Sequence, residues 1–311
     1  MKERRDIALL QLPNCRTYRR HEDLMRDPDV ELIDIATRSD DHASHVIQGL
    51  KSGKWVNIER PFCCDGDEAM VIRAAAIRSG NKLLIRQNYR FEESFLQTKE
   101  VIASKVLGEV YDIKIQRGFY HRRDDWQTVK RCGGGIAFAM GGAFLDQALE
   151  FLKSPPVKIY SDFKRIASVG DAEDYMRIVL RNISNLTVDL EVSGGRIGRD
   201  PLFKVSGTKG EFRIYPGEKE GILKILDPKK KLARRRSSVR TPPLGSYGTP
   251  EELSWIEKKI PIKPKAESGM TLIWEHVFNT IRENKPYPVQ LDGAIETIKI
   301  LSMVKKESAF A

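Results

Sequence analysis

Between Val30 and Tyr89 the sequence alternates strand-like and helix-like stretches at short intervals, and this constrains the fold more than any other feature. VELIDIAT (Val30 to Thr37) is a mostly apolar run with isolated acids, as expected of a strand buried on both faces of a parallel sheet. SHVIQGLKSG reads as a helix closed by Gly53, and KWVNIE as a second strand. DGDEAMVIRAAAIRSG reads as a second helix, with acids in its first turn and Gly80 at its end, and NKLLIRQNY as a third strand. Strand, helix, strand, helix, strand with short connections requires right-handed crossovers and predicts a doubly wound α/β sheet.

After a linking helix in FEESFLQTKEVIASKVLGEV the pattern changes. VYDIKIQRGFY, VKIYSDFKRI, DYMRIVLRN, LTVDLEVSGG, LFKVSGTKGEFRIY and GILKILD are strand-like runs between turn residues, interrupted by one helix from about Ala143 to Leu152. This predicts an α+β domain with an open, mainly antiparallel sheet. GMTLIWEHVFNTIRENKPYPV and DGAIETIKILSMVKKESA read as amphipathic helices. The expected organisation is a Rossmann-type domain over 1–95, an α+β substrate and oligomerisation domain over 96–285, and a C-terminal helix over 286–311 packing back.

With 41% hydrophobic and 31% charged residues, the chain of 311 has the composition of a globular protein large enough for two cores. The reading finds no apolar run approaching a membrane span and no signal-peptide core in MKERRDIALLQLP, so a cytoplasmic protein without a membrane partner is expected. The four cysteines (Cys15, Cys63, Cys64, Cys132) lack metal-ligand spacing and read as reduced small residues. Much of the net charge of +10 sits in DPKKKLARRRSSVR (Asp227 to Arg240), which has no interleaved aromatics. A solvated hairpin or loop is expected there rather than a nucleic-acid patch.

The segment DLMRDPDVELIDIATRSDDHASHVIQGLKSGKWVNIERPF resembles the Rossmann half of the glucose-fructose oxidoreductase, inositol dehydrogenase and MocA-type (Gfo/Idh/MocA) family. RQNYRF, GGGIAFAMGGAFLDQAL, GDAEDYMRIVLR, VSGTKGEFRI and PYPVQLDGAIETIKIL resemble later segments of that family, in order. The resemblance implies NAD- or NADP-dependent oxidation or reduction of a sugar, polyol or related small molecule, in a homo-oligomer built on the open sheet. The family opens with a glycine-rich turn whose backbone N–H groups hold the cofactor pyrophosphate. Here no G-x-G-x-x-G occurs and no glycine precedes Gly49, so NAD(P) binding is expected to be impaired. The chain reads as an N-terminally truncated member: Met1 is internal to a longer natural chain, or the gene is shortened. Either way the strand around Val30–Thr37 would present an open edge.

At the catalytic positions implied by the resemblance, IERPF stands where the family has Glu-Lys-Pro, so Arg60 replaces the lysine. Arginine keeps the charge and can fork onto a carboxylate or phosphate, but it does not give up its proton. After GGG the family's Asp and His positions hold Ala139 and Ala143, while Asp146 matches a further family Asp and reads as a helix-orienting or hydrogen-bonding residue, with recruitment as a base the alternative. Tyr175 falls where close relatives carry another His. The resemblance assigns Ala36, Thr37, His42, Glu59, Pro61 and Asn88 to the cofactor side. Arg90, at a strand end, is placed where cofactor and substrate meet, and YHRRDDW, with Tyr120 and Trp126, mixes cations and aromatics that would suit a sugar or sugar acid, a polar loop being the alternative. The combined reading is weak or lost dehydrogenase activity. Its rivals are a working enzyme using Arg60 and Asp146 in altered roles, and a non-catalytic sugar- or anion-binding or scaffold protein.

Overall fold

The computed structural model describes residues 2–230, 232–242, 244, 251–263 and 269–310. Helices α1 (Lys2–Gln11) and α2 (His21–Arg26) precede a three-stranded parallel sheet ordered β1 (Leu32–Ile35), β2 (Trp55–Ile58) and β3 (Leu83–Ile85). Helices α3 (His42–Lys51) and α4 (Gly66–Arg78) make the two crossovers and pack side by side. Alternation along the strands decides the layering. Ile33 and Ile35 of β1 and Val56 and Ile58 of β2 are buried toward α3, whose Gly49 lies so near that a Cβ would stand 2.8 Å from Val56. The opposite face carries Asp34, Asn57 and Arg86: Asn57 Nδ2 donates to Asp34 Oδ1 at 2.7 Å, and Arg86 reaches Asp34 at 3.6 Å. The first strand is shorter than its apolar run predicts at both ends: Val30 and Glu31 precede the ladder, and Ala36 and Thr37 lead out of it toward the 3-10 turn Ser39–Asp41. Among the described residues β1 pairs with β2 alone.

Helix α5 (Glu93–Ala103) leads into an eight-stranded sheet. Its strands are β4 (Val110–Gly118), β5 (Lys158–Lys164), β6 (Tyr175–Arg181), β7 (Thr187–Ser193), β8 (Phe203–Gly207), β9 (Gly210–Ile214), β10 (Glu220–Leu226) and β11 (Trp255–Pro261). Their order is β11-β10-β9-β8-β4-β7-β6-β5, antiparallel throughout except for β4 beside β7. One face is apolar and covered by α5 and α6 (Gly142–Leu152), with Phe95, Phe151 and Phe203 meeting at ring separations of 5.1 to 6.3 Å. The other face is crossed by ion pairs such as Arg177–Asp189 at 2.8 Å and Lys204–Glu211 at 2.9 Å.

Strand β11 is absent from the sequence reading. It is an edge strand whose Lys258 and Lys259 leave neither face continuously apolar, the charge pattern that protects sheet edges. The basic stretch lies in the antiparallel β10–β11 connection and is exposed from Lys229 to Arg240 at every described position; Lys231 lies outside the described residues. The helical run Lys130–Leu152 is, contrary to the sequence reading, long and apolar enough to cross a membrane by length and composition; 72% of its apolar window is buried within the protein. Helices α7 (Gly269–Glu283) and α8 (Leu291–Lys306) follow, and α8 packs on α4, β3 and α6, tying the two sheets together.

Candidate active site

Parallel strands of this kind deliver their C-terminal ends to one crevice. Ala36 and Thr37 after β1, Glu59 to Pro61 after β2 and Asn88 after β3 converge there on a cavity of about 310 Å3, closed by His42, Trp126 and Gly133 among others. A second cavity of about 350 Å3 lies on the side of the large sheet, between Tyr89, Phe119, His121, Ile136 and Ser193. Arg60, Gln127 and Ala139 line both.

The wall they share is the glycine turn. Gly133 and Gly135 have φ of 69° and 114°, the left-handed region that favours glycine. At Gly135 a Cβ would stand 2.2 Å from Glu173 Oε1, so the missing side chain admits that carboxylate. Beyond it the helix opens with a π-helical turn, Ala137–Gly141, a distortion that frees backbone groups from the regular ladder. Arg60 exploits this: its Nη1 donates to the Ala139 carbonyl at 2.7 Å and its Nε to Asn88 Oδ1 at 3.3 Å, with the guanidinium 5.0 Å from the Tyr89 ring centre. The position that would carry the family's aspartate therefore holds the cation through its backbone. Ala143, the position of the family's histidine, is 3% exposed, packs in the core and lines neither cavity.

Several expected site residues, Asp146, Arg90 and Tyr120 among them, are placed otherwise than expected. Asp146 is 2% exposed and accepts two bonds from Arg90, from Nε at 2.6 Å and Nη2 at 2.7 Å. Burial pushes the Asp146 carboxyl up from its usual range while Arg90 draws it back. Each therefore occupies the other, and neither lines a cavity. Tyr120 is 55% exposed and lies outside both, while its equally exposed neighbours Phe119 and His121, just past the end of β4, line the rim of the larger one. Tyr175 sits on the ion-paired face of the large sheet, with Lys164 4.7 Å from its ring centre.

The cofactor-side residues do gather at the smaller cavity, though not all by their side-chain tips. Both ring nitrogens of His42 face carbonyl oxygens, that of Pro61 at 2.6 Å and that of Thr37 at 3.0 Å, so the ring fastens the β1 and β2 loops together. Glu59 accepts from Arg86 Nη2 at 2.7 Å. Trp126 lines the smaller cavity rather than the larger.

Among the cavity residues that sequence reasoning missed are His121, Arg123 and Glu173. Glu173 is fully buried between the Ala137 N–H at 3.3 Å and Lys305 Nζ of α8 at 3.1 Å. Its only sequence signal is the acid pair in GDAED, which gives no hint of a partner 132 residues away. His121 and Arg123 lay inside the stretch singled out; extending the β4 alternation past Gly118 would have chosen His121 over Tyr120.

Two family models match the chain: "Oxidoreductase family, NAD-binding Rossmann fold" over residues 3–87, and "GFO/IDH/MocA C-terminal domain" over residues 95–213. An uncharacterized oxidoreductase of Schizosaccharomyces pombe is 31% identical over 213 residues, covering 66% of this chain and 58% of its own length. The chain thus spans little more than half of that relative. The scyllo-inositol 2-dehydrogenase (NADP(+)) of Bacillus subtilis is 22% identical across 99% of this chain and 85% of its own. Among solved structures, an NAD-binding protein from Listeria innocua superposes with a TM-score of 0.82 at 21% identity, over 99% of this chain and 87% of that one.

Proposed function

The chain belongs to the Gfo/Idh/MocA oxidoreductase family, and from that premise we propose that it holds a small hydroxylated ligand beneath Arg60 while NAD(P)-linked hydride transfer is weak or lost. One observation carries this reading. The helix turn flanking the cavities carries alanine at both positions, Ala139 lining them with its carbonyl bound to Arg60 and Ala143 lining neither, so it offers no side chain able to take a proton from a reacting hydroxyl. Arg60 can bind and polarise an oxygen but does not exchange a proton at neutral pH.

A nicotinamide dinucleotide fits these residues only in part. The 310 Å3 cavity suits a nicotinamide and its ribose, with Thr37, Glu59 and Asn88 supplying polar groups. The pyrophosphate has no cradle among the described residues. The turn into α3 carries Asp40 and Asp41, and the α4 N-terminus is filled by its own Asp65 carboxylate, so both helix starts oppose an anion.

The test is a fluorescence titration with NADH and NADPH up to millimolar concentration, followed by turnover assays on polyols and sugars. Weak or absent saturation with a folded sample is expected; robust turnover would overturn the reading. The same acid-blocked helix starts favour a second reading, a ligand-binding or scaffold protein without catalysis. Thermal stabilisation by a ligand in the absence of cofactor supports it. Assembly as a homo-oligomer over the ion-paired face of the large sheet is proposed on the family's pattern, and light scattering at low and high salt tests it.

A further inference from the structure

We propose that the 350 Å3 cavity is selective for a carboxylate-bearing polyol, a sugar acid, gripped by Arg60 with His121 and Arg123 at the mouth, and that this selectivity does not depend on a nicotinamide cofactor. The inference rests on the reading of this cavity as the ligand site and adds the class of ligand.

The charges around the cavity carry it. Two acids belong to the wall, Glu173 and Asp174, and both are engaged by the protein itself, although Glu173 Oε2 is left with an ion pair and no hydrogen-bond partner. Glu173 has Lys305 within 3.1 Å of either oxygen. Asp174 accepts from the backbone N–H groups of Ile166, Ala167 and Ser168 at 2.6, 2.7 and 2.6 Å. The cations are less completely answered. Arg60 is fixed by its Nε and Nη1 bonds, and its Nη2 meets no acceptor among the described residues. Its nearest carboxylate, Glu59, stands off at 3.8 Å and is already held by Arg86. Arg60 is thus an oriented donor with a free N–H edge, 20% exposed, at the wall both cavities share. An immobilised guanidinium binds an anion with little further loss of side-chain freedom.

At the mouth, Arg123 is half-buried and, among the described residues, paired only with its neighbour Asp125, a contact that solvent weakens. The His121 ring, 5.4 Å from that of Phe119, adds an N–H donor on the same side. Tyr89, Phe119, Ile136 and Met140 supply the apolar surface that the C–H face of a sugar covers, and Ser168 and Ser193 the hydroxyls. The volume admits one hexose-sized molecule and little more.

The experiment is isothermal titration of the full chain with glucuronate, glucose and glucose 6-phosphate, without cofactor, repeated for Arg60→Gln, His121→Gln and Arg123→Gln. Circular dichroism establishes that each variant is folded. Glucuronate is expected to bind at least about tenfold more tightly than glucose, the scale of one charge-assisted hydrogen bond. Arg60→Gln should abolish that preference, and His121→Gln and Arg123→Gln should each reduce it. Equal affinity for glucose and glucuronate overturns the proposal, as does an undiminished preference in Arg60→Gln. Tighter binding of glucose 6-phosphate overturns the carboxylate assignment in favour of a phosphate. Efficient NAD(P)-linked turnover alongside a glucuronate preference would defeat the reading of lost catalysis and leave this inference standing; turnover of a neutral polyol with no such preference would defeat both.

Discussion

Arg90 grips both oxygens of Asp146, at 2.6 and 2.7 Å, where the carboxylate is almost wholly enclosed beneath the helix that walls the cavities. The pair joins the turn after β3 to α6, so it fixes the small sheet against the helix that covers the large one. Removing one partner of a buried ion pair strands the other charge. Asp146→Asn should therefore destabilise the fold by about 3–5 kcal/mol. Glu150, 3.4 Å from Arg90, offers partial relief and points to the lower end. Urea unfolding measures it, and a loss within the scatter of ordinary surface substitutions would show that the pair does not hold the two sheets together.

Gly135→Ala should be among the most damaging single-methyl additions to this chain. The residue has φ of 114°, and the new Cβ would come within 2.2 Å of the Glu173 carboxylate, which cannot retreat without leaving Lys305. Backbone strain of about 1–3 kcal/mol adds to the displaced ion pair. Soluble expression and thermal unfolding read the loss. A variant as stable as the parent would mean that Glu173 moves freely, contrary to its burial.

The parallel unit was legible because each of its strands is apolar and each helix ends in a glycine of positive φ, Gly53 at 80° and Gly80 at 74°. Those signals are local. The edge strand β11 was not legible, since charges on an edge erase the alternation that marks a strand. The functional residues divide in the same way. Positions fixed by a strand end, such as Thr37, Arg60 and Asn88, could be placed from sequence and do gather at one crevice. Arg90–Asp146, 56 residues apart, and Glu173–Lys305, 132 apart, could not. Nothing in either local sequence says that an arginine or a glutamate will be buried, or by whom it will be neutralised.

Acid should release α8 from α4 through Asp65. Its carboxylate caps α4, accepting from the Asp67 N–H at 2.7 Å, and also meets Ser302 at 3.1 Å and Lys306 at 2.8 Å. These partners, Lys306 foremost, hold its pKa down to about 2 from an ordinary 3.8. A depressed carboxylate stabilises the fold fully above its unfolded value, and that contribution is lost as pH falls from about 4 through about 2. Asp65→Ala should cost roughly 1 kcal/mol at neutral pH through the lost cap, and should flatten the stability curve across that acid window. Unfolding midpoints between pH 2 and 5 decide it; an unchanged acid slope would remove Asp65 as the cause.

Restoring the family's two missing groups should have opposite consequences, because the two alanines sit in different places. Ala139 is half-buried and lines both cavities, so Ala139→Asp has room beside Arg60 and should alter stability by less than about 1 kcal/mol. Its carboxylate would take the free Arg60 edge and weaken anion binding in the larger cavity by about tenfold. Ala143 is packed against the core, and an imidazole there must displace neighbours at a cost of about 1–3 kcal/mol. Paired measurements of urea midpoint and glucuronate affinity test both halves. If Ala143→His were neutral and Ala139→Asp disruptive, the helix would be rotated from the orientation its π-turn gives it, and the site would have to be rebuilt around position 143.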